Sequence, residues 1–144
     1  MIRYLTGFGV TEVNGARTWN RFAKGIPHFK DSAMFMATLE NGAGVIADVS
    51  YAIPDSIGFA FPMYWEFKFW GTKGMINFSY QSETVKLYQN GNTDVVEYTG
   101  KAPEENYMDC FICAVRGEDP VHLSTEESLR SSEETLKIQA YANA

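Results

Sequence analysis

Between Ser32 and Tyr98 apolar side chains recur at every second position. The runs are broken at Asn41-Gly42, at Gly71 to Gly74 and at Asn90-Gly91-Asn92. A period of two puts alternate side chains on opposite faces of an extended chain. Asn-Gly is the dipeptide that tolerates the left-handed backbone of a tight hairpin. The segment therefore predicts a meander of antiparallel strands. SAMFMATLE (32–40) sets Ala33, Phe35, Ala37 and Leu39 against Met34 and Met36. AGVIADVSYAI (43–53) returns with Val45, Ala47, Val49, Tyr51 and Ile53 together and Asp48 and Ser50 opposite. YWEFKFWGT, MINFSY, TVKLYQ and TDVVEY continue the pattern, with Trp65, Phe67 and Phe69 alternating against Tyr64, Glu66, Lys68 and Trp70. Gly71-Thr-Lys-Gly74 is a hairpin turn and not a phosphate loop, because a strand follows it where a phosphate loop opens a helix.

The flanks read differently. MIRYLTG (1–7) has the look of a last helical turn closed by Gly7. Residues 10–18 have weak strand character, and 20–31 form a polar loop. Met108, Phe111, Ile112 and Val115 recur at helical spacing, which predicts an amphipathic helix over 103–116 that opens near Pro103 and stops at Gly117. Ser124 to Glu127 fits a capping box. It opens a final helix over about 125–142, with Leu129, Leu136 and Ala140 on one stripe. Strands followed by helices predict an α+β fold, an open and mainly antiparallel sheet with helices packed on one face. Two helices cover only one face, yet several strands are apolar on both. The second face is expected to lie against a second subunit, a further domain, or both.

The 144 residues suffice for one domain with a core of its own, so 1–144 is read as a single domain. Hydrophobic residues make up 45% and aromatic residues 15% of the chain, which excludes a disordered segment. The net charge of −6 argues against nucleic acid and against an anionic membrane as partners. There is no apolar run of membrane-spanning length and no secretory signal pattern. Two cysteines are too few for a secreted disulfide framework, so the expected location is cytoplasmic.

The order of elements resembles the C-terminal domain of the Gfo/Idh/MocA oxidoreductases, the glucose–fructose oxidoreductase and inositol dehydrogenase group. The matching stretches are DSAMFMATLENGAGVIADVSY, WEFKFWGTKGMINF and FICAVRGEDPVHLSTEESLRSSEETLKIQA. They carry Asp31 before a strand, the Asn41-Gly42 turn, the Gly71 to Gly74 turn, a helix ending at Gly117 and a final helix capped by Ser124. The resemblance implies a dihydrodipicolinate-reductase-like C-terminal domain that lines a sugar or polyol site and forms homo-oligomers through its open sheet face. It implies NAD or NADP for the full-length parent, held by a separate Rossmann domain. This chain is expected to bind no cofactor alone, since it has no Gly-x-Gly-x-x-Gly after an N-terminal strand. The family's His-x-x-Asp pair would precede Met1, and its Glu-Lys-Pro motif is missing from the chain. The expectation is a C-terminal substrate and oligomerisation domain, not catalytic by itself. The alternative is a free-standing dimerisation or small-ligand-binding module.

The candidate residues follow. Arg21 and His28 are candidate substrate contacts on the polar loop, set against a plain solvated loop. Tyr51 and Trp65 are candidates for stacking against a sugar ring, set against core or interface roles; Trp70 is a third aromatic of this kind. His28-Phe-Lys-Asp31 has the spacing of a catalytic pair, but it follows Pro27 in a loop, where i and i+3 need not share a face. A complete enzyme built on His28 and Asp31 is a further reading, one that needs activity without nicotinamide. Cys110 and Cys113 fall mid-helix beside core positions and are read as structural. Zinc would need two more ligands, and no metal site is expected. Asp48 is read as solvated or interfacial. No catalytic and no cofactor-binding residue is assigned.

Overall fold

The computed structural model describes residues 1–101, 106–118 and 124–144. The elements run α1 (Ile2–Thr6), β1 (Val10–Trp19), β2 (Ser32–Leu39), β3 (Gly44–Ser50), β4 (Phe67–Gly71), β5 (Gly74–Phe78), β6 (Thr84–Gln89), β7 (Val96–Thr99), α2 (Tyr107–Val115) and α3 (Thr125–Asn143). The fold is α+β with two antiparallel sheets and, among the described residues, no Rossmann unit. The expected meander over 32–98 resolves into two ladders, β1-β2-β3 and β4-β5-β6-β7. The stretch containing Pro54 and Pro62 carries no strand, because proline supplies no ladder donor. The chain divides into two compact units. One holds Met1–Ala52 with α2 and α3, and the other runs from Ile53 through β7.

In the first unit β2 is central. Met34 lies opposite Arg17 and Asp48, and Met36 opposite Gly15 and Ile46. The expected alternation holds along β2, where Ala37 and Leu39 are buried and Met34 and Met36 are 51% and 49% exposed; on β3 Ile46 is 87% exposed, but Val49 and Tyr51, expected on the opposite, apolar face with Val45 and Ala47, are exposed as well. At the turn, Gly42 adopts φ 80°, a conformation that glycine enters without steric penalty.

Helix α3 packs on β1, but through a different stripe from the expected one. Glu127, Ser128, Ser131, Glu134 and Ile138 are the half-sheltered positions, whereas Leu129 and Leu136 are exposed. The physical reason is Arg3, whose side chain is only 10% exposed. Its Nε and Nη2 donate to Glu127 at 2.5 and 3.2 Å, and its Nη1 donates to Glu134 at 3.3 Å. A guanidinium sheltered this far must keep its carboxylate partners, so the helix turns them toward it. Glu127 is thereby held below the usual carboxylate range by the Arg3 hydrogen bond. The Ser124 cap receives the Glu127 N–H at 3.1 Å, but the Glu127 carboxylate bonds Arg3 and does not complete a capping box.

The box sits instead on α2. Asn106 Oδ1 accepts from the N–H groups of Met108 and Asp109 at 2.8 and 3.2 Å, and Asp109 accepts from the Asn106 N–H at 3.1 Å. Pro103, the expected opening of this helix, lies outside the described residues, as does His122. Only Cys110 of α2 is buried; Phe111 and Val115 are exposed, contrary to the core role their spacing predicts. Asn106→Ala is expected to cost about 1 kcal/mol of stability. Chemical denaturation checks this, and an unchanged midpoint would remove the cap from the account.

In the second unit Phe67, Phe69 and Phe78 stack on one face of the sheet, at centroid separations of 5.3 and 6.1 Å. Lys68, Asn77, Lys86 and Glu97 stand in register on the other. The Gly71 to Gly74 turn closes β4 onto β5 as a hairpin.

Candidate functional site

Strand β2 is entered through Asp31, which is 1% exposed. Its carboxylate folds the loop of residues 20–31 around itself. Oδ1 accepts from the Arg21 N–H and the Ser32 hydroxyl at 2.9 Å each. Oδ2 accepts from the N–H groups of Phe22 and Ala23 at 2.6 and 2.7 Å. Three successive backbone N–H groups converging on one anion form a nest. Burial pushes the Asp31 pKa up. The three N–H donors and the Ser32 hydroxyl outweigh it and hold the group well below the usual carboxylate range. Asn20 tightens the same loop, its Nδ2 donating to the carbonyls of Ala23 and Ile26 at 2.7 and 2.9 Å.

This geometry decides the His28 and Asp31 question. The Asp31 carboxylate is spent on the backbone of 21–23 and on Ser32, and its partners do not include His28. A buried carboxylate held ionised by four donors is a structural anchor and not a proton carrier.

Arg21 and His28 are both exposed on the anchored loop. Tyr51 follows β3 against the end of this loop: its N–H donates to the Asp31 carbonyl at 3.0 Å and its ring meets Phe29 edge-on at 5.3 Å. The guanidinium, imidazole and phenol can donate to hydroxyl or carboxylate oxygens of a small molecule. Trp65 lies in the second unit. The alternation that places it on a strand fails there: it precedes β4 in a turn with φ 48°, and its ring stacks on the adjacent Tyr64 at 5.6 Å. The Tyr80 N–H bonds the carbonyls of both Tyr64 and Trp65 and holds that turn closed.

No group of three or more ligating side chains that could hold a metal ion is found among the described residues. Both sheets are antiparallel, and no described strand leads through a glycine-rich turn into a helix. No described helix is long and apolar enough to cross a membrane.

The chain superimposes on segments of solved oxidoreductase structures. Against a protein assigned as an oxidoreductase from Thermotoga maritima, the TM-score is 0.80 at 19% identity, over 99% of this chain and 41% of the other. The fold is that of the C-terminal part of such proteins. A second protein with that assignment, from Erwinia carotovora atroseptica SCRI1043, gives 0.77 at 20% identity over 97% of this chain and 43% of the other. The aldose–aldose oxidoreductase of Caulobacter crescentus, in complex with glycerol, gives 0.70 at 18% identity over 98% and 41%. This chain thus spans about two fifths of each. No family model matches it, and no curated protein matches it by sequence.

Proposed function

We propose that this chain is the C-terminal, substrate-side and oligomerisation domain of an NAD(P)-dependent oxidoreductase of the Gfo/Idh/MocA type acting on a sugar or polyol. The observation that carries the reading is the match of nearly the whole chain to two fifths of an oxidoreductase chain. In such chemistry the nicotinamide carries the hydride. The part of this chain is to present to substrate hydroxyls Arg21 and His28, on a loop that Asp31 keeps in one conformation, and Tyr51 at the end of β3. A cytoplasmic location belongs to the same reading. A fluorescence titration with NADH and NADPH tests the division of labour. The expected result is no saturable binding at micromolar cofactor; saturation would move the nucleotide site into these 144 residues.

The occupant of the outer face of β1-β2-β3 is, in this reading, a second copy of the chain. The exposed row Gly15, Met36, Ile46 adjoins the row Arg17, Met34, Asp48, with opposite charges at its two ends. A twofold axis along β2 lays β1 of one copy over β3 of the other. Each Arg17 then meets the partner's Asp48 around an apolar centre, as a self-complementary interface requires. Sedimentation of the purified chain should give a dimer, Ile46→Lys should give a monomer, and Asp48→Arg should weaken association at least in part reversibly by adding Arg17→Asp. A monomeric wild-type chain would overturn this arrangement.

A further inference from the structure

The loop of residues 20–31 carries positive charge that no carboxylate answers. Arg21, Lys24 and Lys30, against the single carboxylate of Asp31, give it a charge of +2 in a chain whose net charge is −6. His28 lies between them in sequence. Elsewhere Arg3, Lys68, Lys86, Arg130 and Lys137 each meet a carboxylate. Among the described residues, no ion pair takes in Arg21, Lys24 or Lys30. All three are exposed, as is His28. The Asp31 carboxylate is buried and taken up by its four donors, so it is no partner for these side chains.

Backbone bonds hold these like charges close together. The Ile26 N–H donates to the Ala23 carbonyl and the Phe29 N–H to the Ile26 carbonyl, each at 3.0 Å, so the loop runs through two successive tight turns. The Lys24 ammonium lies 2.6 Å from the Asn20 carbonyl. That carbonyl belongs to the same peptide unit as the Arg21 N–H, which is given to Asp31. The Lys24 ammonium and the root of the Arg21 side chain therefore flank one fixed peptide, and an oxyanion beside that ammonium is within reach of the guanidinium. Phe22, Ile26 and Phe29 are 58%, 50% and 37% exposed along the same turns. Apolar groups beside a charge displace the water that would screen it, so an anion is drawn more strongly here than to an ordinary polar surface.

We infer that the loop of residues 20–31 is an oxyanion site, in which Arg21 and Lys24 together receive the carboxylate or phosphate group of a small-molecule ligand. Arg21 supplies a planar fork that bonds two oxygens at once, and Lys24 supplies a point charge. Lys30 adds to the local field, while the negative charge of the rest of the chain turns anions away from other surfaces. The inference rests on the reading of this loop as substrate-facing and narrows it: the substrate carries a negative charge, and His28 and Tyr51 are left for its neutral groups.

The test is an amide-resolved NMR titration of the full chain with two matched pairs of probes, D-gluconate against D-glucitol and D-glucose 6-phosphate against D-glucose. The first pair reports a carboxylate and the second a phosphate. Saturable shifts centred on residues 20–30 are expected with at least one anion. Its affinity should exceed that of its neutral counterpart by roughly tenfold or more and fall as salt is raised. Arg21→Gln combined with Lys24→Gln should abolish that preference at an unchanged melting temperature, because both side chains are exposed and the Arg21 bond to Asp31 comes from the backbone. Equal affinity for the anionic and neutral members would overturn the inference and leave the substrate-facing reading standing; no shift with any of the four probes would remove both. Anion shifts spread evenly over Lys68, Lys73 and Lys86 would also overturn it, as would a preference that survives in the folded double variant.

Discussion

Asp31→Ala is expected to lower the melting temperature by roughly 10 °C or more. It should also speed hydrogen exchange at Arg21, Phe22 and Ala23 far beyond the rest of the first unit. Removing the carboxylate orphans three backbone donors at once and strips the Ser32 hydroxyl of its acceptor. Buried donors left without partners are costly, and the loop can recover them only by opening to water. Asp31→Asn keeps the size but turns an amide N–H toward other N–H groups, so it should fall between the two. The pH dependence follows from the depressed pKa. The folded group titrates below its unfolded value of about 4. Its contribution is therefore complete above that value and is lost as pH falls toward the folded pKa. The stability gap between wild type and Asp31→Asn should be constant at neutral pH and narrow below about pH 4. A gap independent of pH, or exchange unchanged at residues 21–23, would show that the nest does not hold the loop.

Gly74→Ala is expected to cost about 2–4 kcal/mol. Gly74 has φ 151°, and a Cβ there would lie 2.1 Å from the Tyr88 carbonyl oxygen and 3.0 Å from the Gln89 Cα. Both obstacles are backbone of the adjacent strand β6, so no rotamer change relieves them. The substitution must push β5 and β6 apart at the pair Gly74 and Gln89. Gly71→Ala is the control, since its Cβ meets nothing closer than 3.5 Å. Denaturation followed by the fluorescence of Trp65 and Trp70 should show a large loss for the first variant and a small one for the second. Equal effects would mean that the turn tolerates a side chain and that backbone crowding is not what selects glycine there.

The sequence by itself determined the strands, their faces and their turns. A period of two and a glycine at a positive-φ turn are local properties, so Met34 and Met36 could be placed opposite Ala37 and Leu39 without any knowledge of the rest of the chain. Asp31 was visible as the residue before β2, and its spacing to His28 suggested a pair. The loop, folded by backbone donors eight to ten residues earlier, decided that its partners lie elsewhere. Trp65 read as a strand residue because alternation continues through it, and a tertiary bond from Tyr80 bent it into a turn. The helices were the least legible in orientation. Leu129 and Leu136 lie on a proper helical stripe, but α3 turns Glu127 and Glu134 toward Arg3, more than a hundred positions away, and leaves both leucines exposed. Local periodicity records which side chains share a face; which face is buried depends on what the rest of the chain sets against it, and only the tertiary structure decides that.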